Sequence, residues 1–175
     1  MAALVTLVMI VAGAAPVLGT QAESTEMVPI EGTVVGEHGI NPEAPGCAEG
    51  TSWRFESTGA GDLAGLGEVE YVLSWCSVSD PETGITSYGE DGITFTTAAG
   101  DSLETAQIGY GQVIAGPEGE PTGFTMGGVW EVTGGTGQFV NATGNGWLGG
   151  LGQIPGDATI DLGGAITLSA AGESE

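Results

Sequence analysis

The sequence predicts an all-β protein, and three observations support this prediction. Apolar and polar residues alternate with a period of two in most segments of the chain. Turn-forming stretches rich in Gly, Pro, Asp and Asn, such as "DPETG" and "GPEGEP", separate these segments. No long segment shows the apolar spacing of an amphipathic helix. We therefore expect antiparallel strands joined by tight turns.

The alternation divides the chain into about eight strands, each with one apolar face. The residues predicted to share the apolar faces are, in chain order, Val28, Ile30, Gly32 and Val34; Trp53 and Phe55; Val69, Tyr71, Leu73 and Trp75; Ile93 and Phe95; Ile108, Tyr110, Gln112 and Ile114; Phe124, Met126, Gly128, Trp130 and Val132; Phe139, Asn141 and Thr143; Ala158, Ile160 and Leu162; and Ile166 and Leu168.

An eight-stranded antiparallel barrel is the architecture that we predict, with a β-sandwich as the alternative. Gly109, Gly111, Gly127 and Gly128 lie inside strand patterns. Glycine weakens an ordinary strand but permits sharp coiling and close backbone approach, which a small barrel needs. A closed barrel of about eight strands has an interior that side chains fill or that holds one small ligand.

The composition excludes several classes of partner. The chain has 175 residues, with 1 Lys or Arg against 23 Asp and Glu, which gives a formal net charge of −22. Such a surface repels phosphate backbones and anionic lipid headgroups, so we expect no nucleic-acid partner and no anionic membrane surface. The length suits one domain, which we place at residues 23–175. The sequence leaves the oligomeric state open.

The first 22 residues, "MAALVTLVMIVAGAAPVLGTQA", form an uncharged apolar run that ends in small residues. This pattern is typical of the apolar region and cleavage zone of a secretory signal peptide. We therefore predict that residues 1–22 are a signal peptide and that the mature protein is extracellular. The alternative is an N-terminal membrane anchor with the domain facing outward.

Two cysteines, Cys47 and Cys76, are predicted to form a disulfide. An even pair in an exported chain favours a disulfide over a metal site. A zinc site would need further ligands, and the only histidine is His38. We expect neither a metal nor a cofactor.

Four stretches carry a resemblance to known proteins: "SWCS", "TFTTAAGDSL", "WEVTGGTGQFVNATGNG" and "GAITLS". Their order resembles that of a family of small exported bacterial proteins of unassigned activity, over roughly residues 67–169. The matching features are Cys76, the turn at residues 98–103 and the hairpin at residues 134–146. The "GGTG" hairpin is also similar to that of allene oxide cyclases and plant dirigent proteins. That similarity implies an eight-stranded antiparallel barrel. We transfer none of the catalytic or guiding residues of those proteins to this chain, and Gln138 stands where an Arg usually follows "GGTG".

The glycine-rich stretch "GGTGQFVNATGNG" is predicted to be a structural hairpin. Neither a following helix nor a nearby Lys or Arg supports a phosphate-binding loop. Gly134, Gly135 and Gly137 are expected to supply positive φ angles, with Phe139 as the first core residue after the turn. Asn141 begins an N-glycosylation sequon, but we expect it to lie in a strand, which is a poor acceptor position.

Three charged or titratable residues have a functional and a structural interpretation. Arg54 is either an anion clamp or, as we prefer, an outward partner of a nearby glutamate (Glu56, Glu68 or Glu70). His38 is either a general base or, preferably, a solvated loop histidine. Glu131 is the first carboxylate to consider for acid–base chemistry, although alternation places it opposite Trp130.

The acidic loops could in principle bind Ca²⁺ through carboxylate and carbonyl oxygens, but none has an established calcium-loop spacing. We interpret them as a solvating charged rim. They contain Asp80, Glu82, Glu90, Asp91, Glu118 and Glu120.

The aromatic residues of the predicted strands either pack in the hydrophobic core or line a site for a small apolar ligand. The residues singled out for ligand binding are Trp53, Tyr71, Trp75, Tyr110 and Trp130. We predict an exported acidic barrel that binds a small apolar ligand without catalysis or has an extracellular structural role. The alternative is a cyclase- or dirigent-like enzyme that guides a reactive intermediate inside the barrel. An open lumen with an inward carboxylate would favour the enzyme, and a lumen filled by aromatic rings would favour a surface role.

Overall fold

A computed structural model describes residues 25–89 and 92–169. The predicted signal peptide at residues 1–22 lies outside the described residues, and so do Glu90, Asp91 and the tail from residue 170 onward. The statements below concern the described part of the chain.

The described residues form strands and short connections. The strands are β1 Thr25–Asn41, β2 Trp53–Ala64, β3 Gly67–Ser79, β4 Ile85–Gly89, β5 Gly92–Thr97, β6 Ser102–Ala115, β7 Pro121–Gly135, β8 Thr143–Gln153 and β9 Asp157–Ser169. A single 3-10 turn, Gly137–Phe139, lies between β7 and β8.

The strands close into a barrel. All strand pairs are antiparallel and, apart from β4 and β5, each strand pairs with its neighbours in the chain; β9 pairs with β1 along Thr25–Glu37. Strands β4 and β5 both lie between β3 and β6, so they share one position in the wall. The nine strands therefore fill eight positions. The predicted eight-stranded antiparallel barrel is confirmed, and the wall is not a β-sandwich.

The connections divide between the two ends of the barrel. Loops 42–52, 80–84, 116–120 and 154–156 lie at one end, which we call the cleft end. Turns 65–66, 98–101 and 136–142 lie at the other, which we call the hairpin end. Two of the features that carry the family resemblance, the turn at residues 98–103 and the hairpin at residues 134–146, therefore lie together at the hairpin end.

In most strands, the residues that face the core are the ones that the sequence alternation predicts. The inward residues of β1, β3, β5 and β7 are those expected, and most of them are almost fully buried. In β6 the predicted phase is wrong, because Ile108 and Tyr110 point outward and Gly109 and Gly111 point inward. The physical reason is the Tyr88 ring, since a Cβ on Gly109 would collide with its phenol group. Gly109, together with Gly128 of β7, makes room for an aromatic ring from β4.

The start of β8 also differs from the prediction. We expected Phe139, Asn141 and Thr143 to alternate in a strand, but the chain makes a 3-10 turn and β8 begins at Thr143. Asn141 has a φ of 65°, a left-handed conformation that asparagine tolerates well. Phe139 and Ala142 are both buried, so the turn still closes the hairpin end with apolar side chains.

A candidate ligand cleft at one end of the barrel

Aromatic and aliphatic side chains fill the barrel lumen. The buried rings are those of Phe55, Tyr71, Trp75, Tyr88, Phe95, Phe124, Trp130 and Phe139. Among residues 25–89 and 92–169, the buried polar side chains are Ser, Thr and Gln only, so no inward carboxylate is present in this part of the chain. The Glu131 side chain is exposed, on the face opposite Trp130 as alternation predicts.

A small apolar cleft opens at the cleft end, above a stack of aromatic rings. The ring centroids of Phe55 and Trp75 lie 4.6 Å apart and those of Trp75 and Tyr88 lie 4.3 Å apart, both stacked. Phe124 meets Phe55 edge-on at 5.2 Å. The wall of the cleft includes Ile40, Trp53, Val113, Met126 and Ile154. Stacked and edge-on arrangements at these separations are the favourable geometries of aromatic pairs, so the rings stabilise one another in the floor of the cleft.

The cleft has a volume of about 40 Å³. One water molecule needs roughly 10–15 Å³ by a comparable measure, so the space admits a few waters or part of an apolar ligand. Pockets that enclose a whole drug-sized molecule are far larger, at roughly 300–1,000 Å³. A ligand would therefore insert one end, such as a ring edge or a short alkyl group, and leave the rest at the surface.

Two buried hydroxyl groups line this apolar cleft. Ser77 Oγ and Tyr88 Oη have no hydrogen-bond partner within the described part of the chain. Burial raises the pKa of Tyr88 above its usual value, so the phenol stays protonated and can donate. Both atoms are covered by protein, and a Cβ on Gly109 or Gly128 would collide with Tyr88 Oη, so this hydroxyl lies against the backbone of β6 and β7 and not in the open part of the cleft.

His38 lies beside the cleft and not in a solvated loop. Strand β1 continues to Asn41, and its inward phase carries His38 into the barrel mouth, so our sequence interpretation of this histidine is wrong. The imidazole stacks on Phe55 at 5.5 Å and meets Phe124 edge-on at 5.0 Å. Burial lowers the pKa of His38, and the nearby Asp157 carboxylate opposes this shift. Its Nδ1 is buried without a hydrogen-bond partner among the described residues.

The loop at residues 42–52 is fastened to the wall beside the cleft. The predicted disulfide is confirmed: Cys47 in the loop bonds to Cys76 in β3, with the two Cα atoms 5.7 Å apart. Arg54 reinforces this link, because its Nη1 donates to the Pro45 carbonyl oxygen at 3.2 Å. Closing a loop of this length by a disulfide stabilises the fold by roughly 3–4 kcal/mol in the chain-entropy estimate.

Arg54 also lies among the polar partners that we expected for it. Its Nε is 3.2 Å from Glu56 Oε1, and its Nη2 donates to Ser74 Oγ at 2.7 Å. These contacts match the preferred interpretation of Arg54 as the partner of a nearby glutamate. The guanidinium thus ties β2, β3 and the loop together.

The five residues singled out for ligand binding fall in three places. Trp53 and Trp75 line the cleft. Tyr71 lies deep in the core, where its hydroxyl is 2.9 Å from Ser57 Oγ, and Trp130 is buried in β7. Tyr110 is 68% exposed on the outer wall, so the prediction that it lines the lumen is wrong. The cause is the wrong inward and outward assignment that we predicted for β6.

Several cleft residues escaped the sequence analysis. Tyr88 lies in the short strand β4, where Thr86 and Tyr88 are buried in alternation, and this signal was present in "ITSYG". Phe124 and Met126 were assigned to the core, where they also form the cleft wall. Ile40 and Ile154 belong to the ends of chain segments, and nothing in a single sequence brings such distant residues together.

The glycine hairpin lies at the opposite end from the cleft and is structural. Only Gly137 has the predicted positive φ, at 57°, so that expectation is wrong for Gly134 and Gly135. Gly135 serves close packing instead, because a Cβ there would lie 2.6 Å from the Ser102 carbonyl oxygen and 2.7 Å from Phe139 Cβ. Phe139 is buried, as expected of a core anchor.

The remaining polar residues are placed at the surface. Asn141 is exposed in the turn before β8, so our objection that its sequon lies in a strand is wrong. Asp80 accepts hydrogen bonds from the Glu82 backbone and the Thr83 hydroxyl, which lowers its pKa. In the described ranges, no group of three or more His, Cys, Asp or Glu side chains could hold a metal ion.

Comparisons with known proteins bear on the fold. No protein-family model matches the sequence. No curated protein matches it either. Among solved structures, the chain is similar to the pterocarpan synthase dirigent protein GePTS1, with a TM-score of 0.56 and 13% sequence identity, over 89% of this chain and 92% of that one. The fold is dirigent-like. At this identity the likeness of the two dirigent-like barrels concerns architecture and assigns no residue a role.

In the part of the dirigent-like barrel that the structure describes, no helix has the length and apolar character needed to span a bilayer.

Proposed function

We propose that this dirigent-like barrel is an exported protein that binds one end of a small apolar ligand in the cleft, without catalysing a reaction. The observation that carries the proposal is the cleft itself, in which Trp53, Phe124 and Met126 surround the stacked Phe55–Trp75–Tyr88 floor. Predominantly apolar walls are typical of small-molecule sites. The hydroxyl oxygens of Ser77 and Tyr88 are buried within the wall, so a ligand would be held by apolar contacts.

The rest of the molecule supports a binding role over an enzymatic one. The lumen beneath the cleft is filled, and no carboxylate is buried in the described part of it. The Cys47–Cys76 disulfide, which closes the loop at the cleft, supports export to an oxidising compartment. The net charge of −22 favours a neutral ligand over an anionic one.

The proposal is tested with a neutral apolar fluorophore, N-phenylnaphthylamine, whose emission rises in apolar surroundings. We expect saturable binding to the wild-type protein. The variant Val113→Trp, which places an indole at the cleft mouth, should abolish this binding. The matched control Val72→Trp adds the same side chain to an exposed position on the outer wall of β3 and should bind as the wild type does. Equal binding by the two variants would contradict the proposal.

A cyclase- or dirigent-like reaction at the same cleft is the second candidate. The observation in its favour is His38, which contacts two rings of the cleft and is a base at the usual pH of cells. One structural neighbour is a pterocarpan synthase dirigent protein, which makes guided chemistry a relevant comparison. A compound that co-purifies with the protein would be incubated with the wild type and with His38→Phe. Conversion by the wild type alone would favour the enzyme, and recovery of the unchanged compound from both would favour binding.

A further inference from the structure

Met126 lies on the wall of the cleft between two glycines. It points inward on β7, where Gly111 of β6 and Gly150 of β8 are its direct partners in the two neighbouring strands. Its side chain is 8% exposed, and both Met126 and Gly111 line the cleft. In most sheets a side chain shares its row with side chains from the adjacent strands. Here both partners are glycines, so the methionine has no side chain beside it in either strand.

The methionine side chain leans toward Gly150. A Cβ built on Gly150 would lie 2.6 Å from Met126 Cε and 3.4 Å from Met126 Cγ. The end of the methionine therefore takes the place that a side chain at Gly150 would occupy. It rests on the bare backbone of β8.

The space on the other side of β7 is open. A Cβ built on Gly111 would find Met126 Cβ as its nearest side-chain atom, at 3.8 Å, and the Thr125 carbonyl oxygen as its nearest backbone atom, at 3.0 Å. Gly111 lines the cleft, which has a volume of about 40 Å³. One water needs roughly 10–15 Å³ by a comparable measure, so this volume admits a small group such as the sulfur and methyl group of a methionine.

Methionine is suited to move between these two positions. Its side chain is unbranched and flexible, and its polarizable sulfur makes favourable contacts with aromatic rings. The rings of Tyr88 and Phe124 line the same cleft as Gly111. The thioether therefore has aromatic neighbours in the cleft, and rotation about its own bonds carries it there without a change in the backbone.

We propose that Met126 is a gate that opens and closes the cleft, an inference that rests on the ligand-binding function proposed above. With its end on Gly150, as in the structure, the cleft is open. With its end over Gly111, the thioether fills the space that one end of an apolar ligand would take. The ligand and the methionine compete for this space, so the apparent affinity is the intrinsic affinity multiplied by the fraction of molecules with an open gate.

Gly150→Ala tests the gate from the side away from the ligand. The new methyl group would lie 2.6 Å from Met126 Cε and 2.7 Å from the Thr159 carbonyl oxygen, so the flexible thioether has to leave this position. We expect the variant to bind N-phenylnaphthylamine at least about tenfold more weakly than the wild type does. Gly149→Ala is the matched control on β8. Its methyl group would have its nearest neighbour at 3.9 Å, and it should bind as the wild type does.

Removal of the gate should restore the binding that Gly150→Ala loses. In the double variant Gly150→Ala/Met126→Ala, no thioether remains to enter the space over Gly111, so the fluorophore should bind at least as tightly as it binds to the wild type. The two changes also compensate in volume, because one adds a methyl group where the other removes the end of a side chain. Melting temperatures measured alongside show that each variant is folded under the binding conditions.

The position of the methionine can be observed without a ligand. Methionine labelled with carbon-13 in its methyl group reports on Met126 by NMR, and the exposed Met27 is an internal reference. In the free wild type, we expect NOEs from the Met126 methyl group to the protons of both Gly150 and Gly111. In Gly150→Ala, the NOEs to Gly111 should dominate. Saturation of the wild type with the fluorophore should leave the NOEs to Gly150 alone.

Two results would overturn the inference. One is a Met126 methyl group that contacts only residue 150 in the free wild type and stays beside it in Gly150→Ala. The other is fluorophore binding by folded Gly150→Ala that is as tight as binding by the wild type. If the wild type binds no fluorophore while the methyl group moves as expected, the proposed ligand-binding function fails and the two positions of the methionine are confirmed.

Discussion

The indole Nε1 of Trp130 donates a hydrogen bond to the backbone carbonyl oxygen of Trp147 at 3.1 Å. Trp130 lies inside the barrel on β7, and Trp147 lies outside it on β8. A Cβ on Gly146 or Gly164 would collide with the Trp130 indole, and a Cβ on Gly163 would collide with the Trp147 indole. Three glycines thus make the wall thin enough for a tryptophan to pack on each side. This contact joins a core side chain to the backbone of a residue whose own side chain lies on the outer surface.

Gly146→Ala is expected to destabilise the protein because the new methyl group would lie 2.1 Å from the Gly163 carbonyl oxygen and 2.5 Å from the Trp130 ring. Overpacking of this kind costs roughly 1–3 kcal/mol in the free energy of unfolding. The control is Gly149→Ala, at an open position, which should leave stability unchanged or raise it by up to about 1 kcal/mol. Denaturant unfolding of both variants checks this, and equal destabilisation would contradict it.

Thr136→Ala should loosen the hairpin end of the barrel. The Thr136 hydroxyl accepts a hydrogen bond from the Ser102 backbone N–H at 2.9 Å and lies 2.9 Å from the Ser102 hydroxyl. Losing these contacts should lower the free energy of unfolding by about 1 kcal/mol. Gln138→Ala is the control, since the backbone N–H that bonds to Asp101 remains. If both variants unfold at the same denaturant concentration, this account of the turn fails.

The double variant Cys47→Ser/Cys76→Ser should lose roughly 3–4 kcal/mol of stability by the chain-entropy estimate. It should also weaken fluorophore binding, because Cys76 lies between Trp75 and Ser77, which both line the cleft. Unfolding and titration of the variant beside oxidised and reduced wild type measure both effects. Full fluorophore affinity in the folded variant would show that the disulfide does not organise the cleft.

His38 should make stability depend on pH in a defined direction. Burial lowers its pKa below the ordinary 6.5, so the unfolded chain binds the proton at a higher pH than the folded protein does. The stability that depends on neutral His38 is present above about pH 6.5 and is lost as pH falls through the lower pKa of the folded state. Between about pH 7.5 and 5.5, His38→Phe should therefore lose less stability than the wild type. A parallel decline of the two proteins would contradict the prediction.

The melting temperature should rise with added NaCl. Repulsion within a chain of net charge −22 opposes the compact state, and salt at about 0.1 M shortens the Debye length to about 10 Å. Thermal unfolding at several NaCl concentrations measures this effect, and KCl serves as a control for ion identity. A melting temperature that does not change with either salt would show that surface repulsion is unimportant.

The barrel was predictable because alternation reports one buried face per strand, and the residues predicted to face inward in β1, β3 and β7 do so. The prediction failed in β6, where the apolar residues Ile108 and Tyr110 face outward and glycines face the core. Alternation alone does not say which face of a strand is inside when both faces lack charge. The turn before β8 was missed because Phe139 and Ala142 are buried although they do not lie in a strand. Their apolar character alone had suggested a strand.

The cleft was only partly predictable. Trp53 and Trp75 were identified as ligand candidates from their aromatic character, and both line the cleft. Its shape depends on which loops meet at one end of the barrel, and this follows from strand order and register. His38 was misplaced because we interpreted it as a loop residue, whereas β1 extends to Asn41. A single sequence does not encode such boundaries strongly.

The most direct test of the central proposal is untargeted mass spectrometry of small molecules extracted from natively purified wild-type protein and from Val113→Trp purified in parallel. We predict a neutral apolar compound that is enriched with the wild type and absent from the variant with the blocked cleft. Recovery of no compound from the wild type, or of the same compound in equal amounts from both proteins, would contradict ligand binding in the cleft.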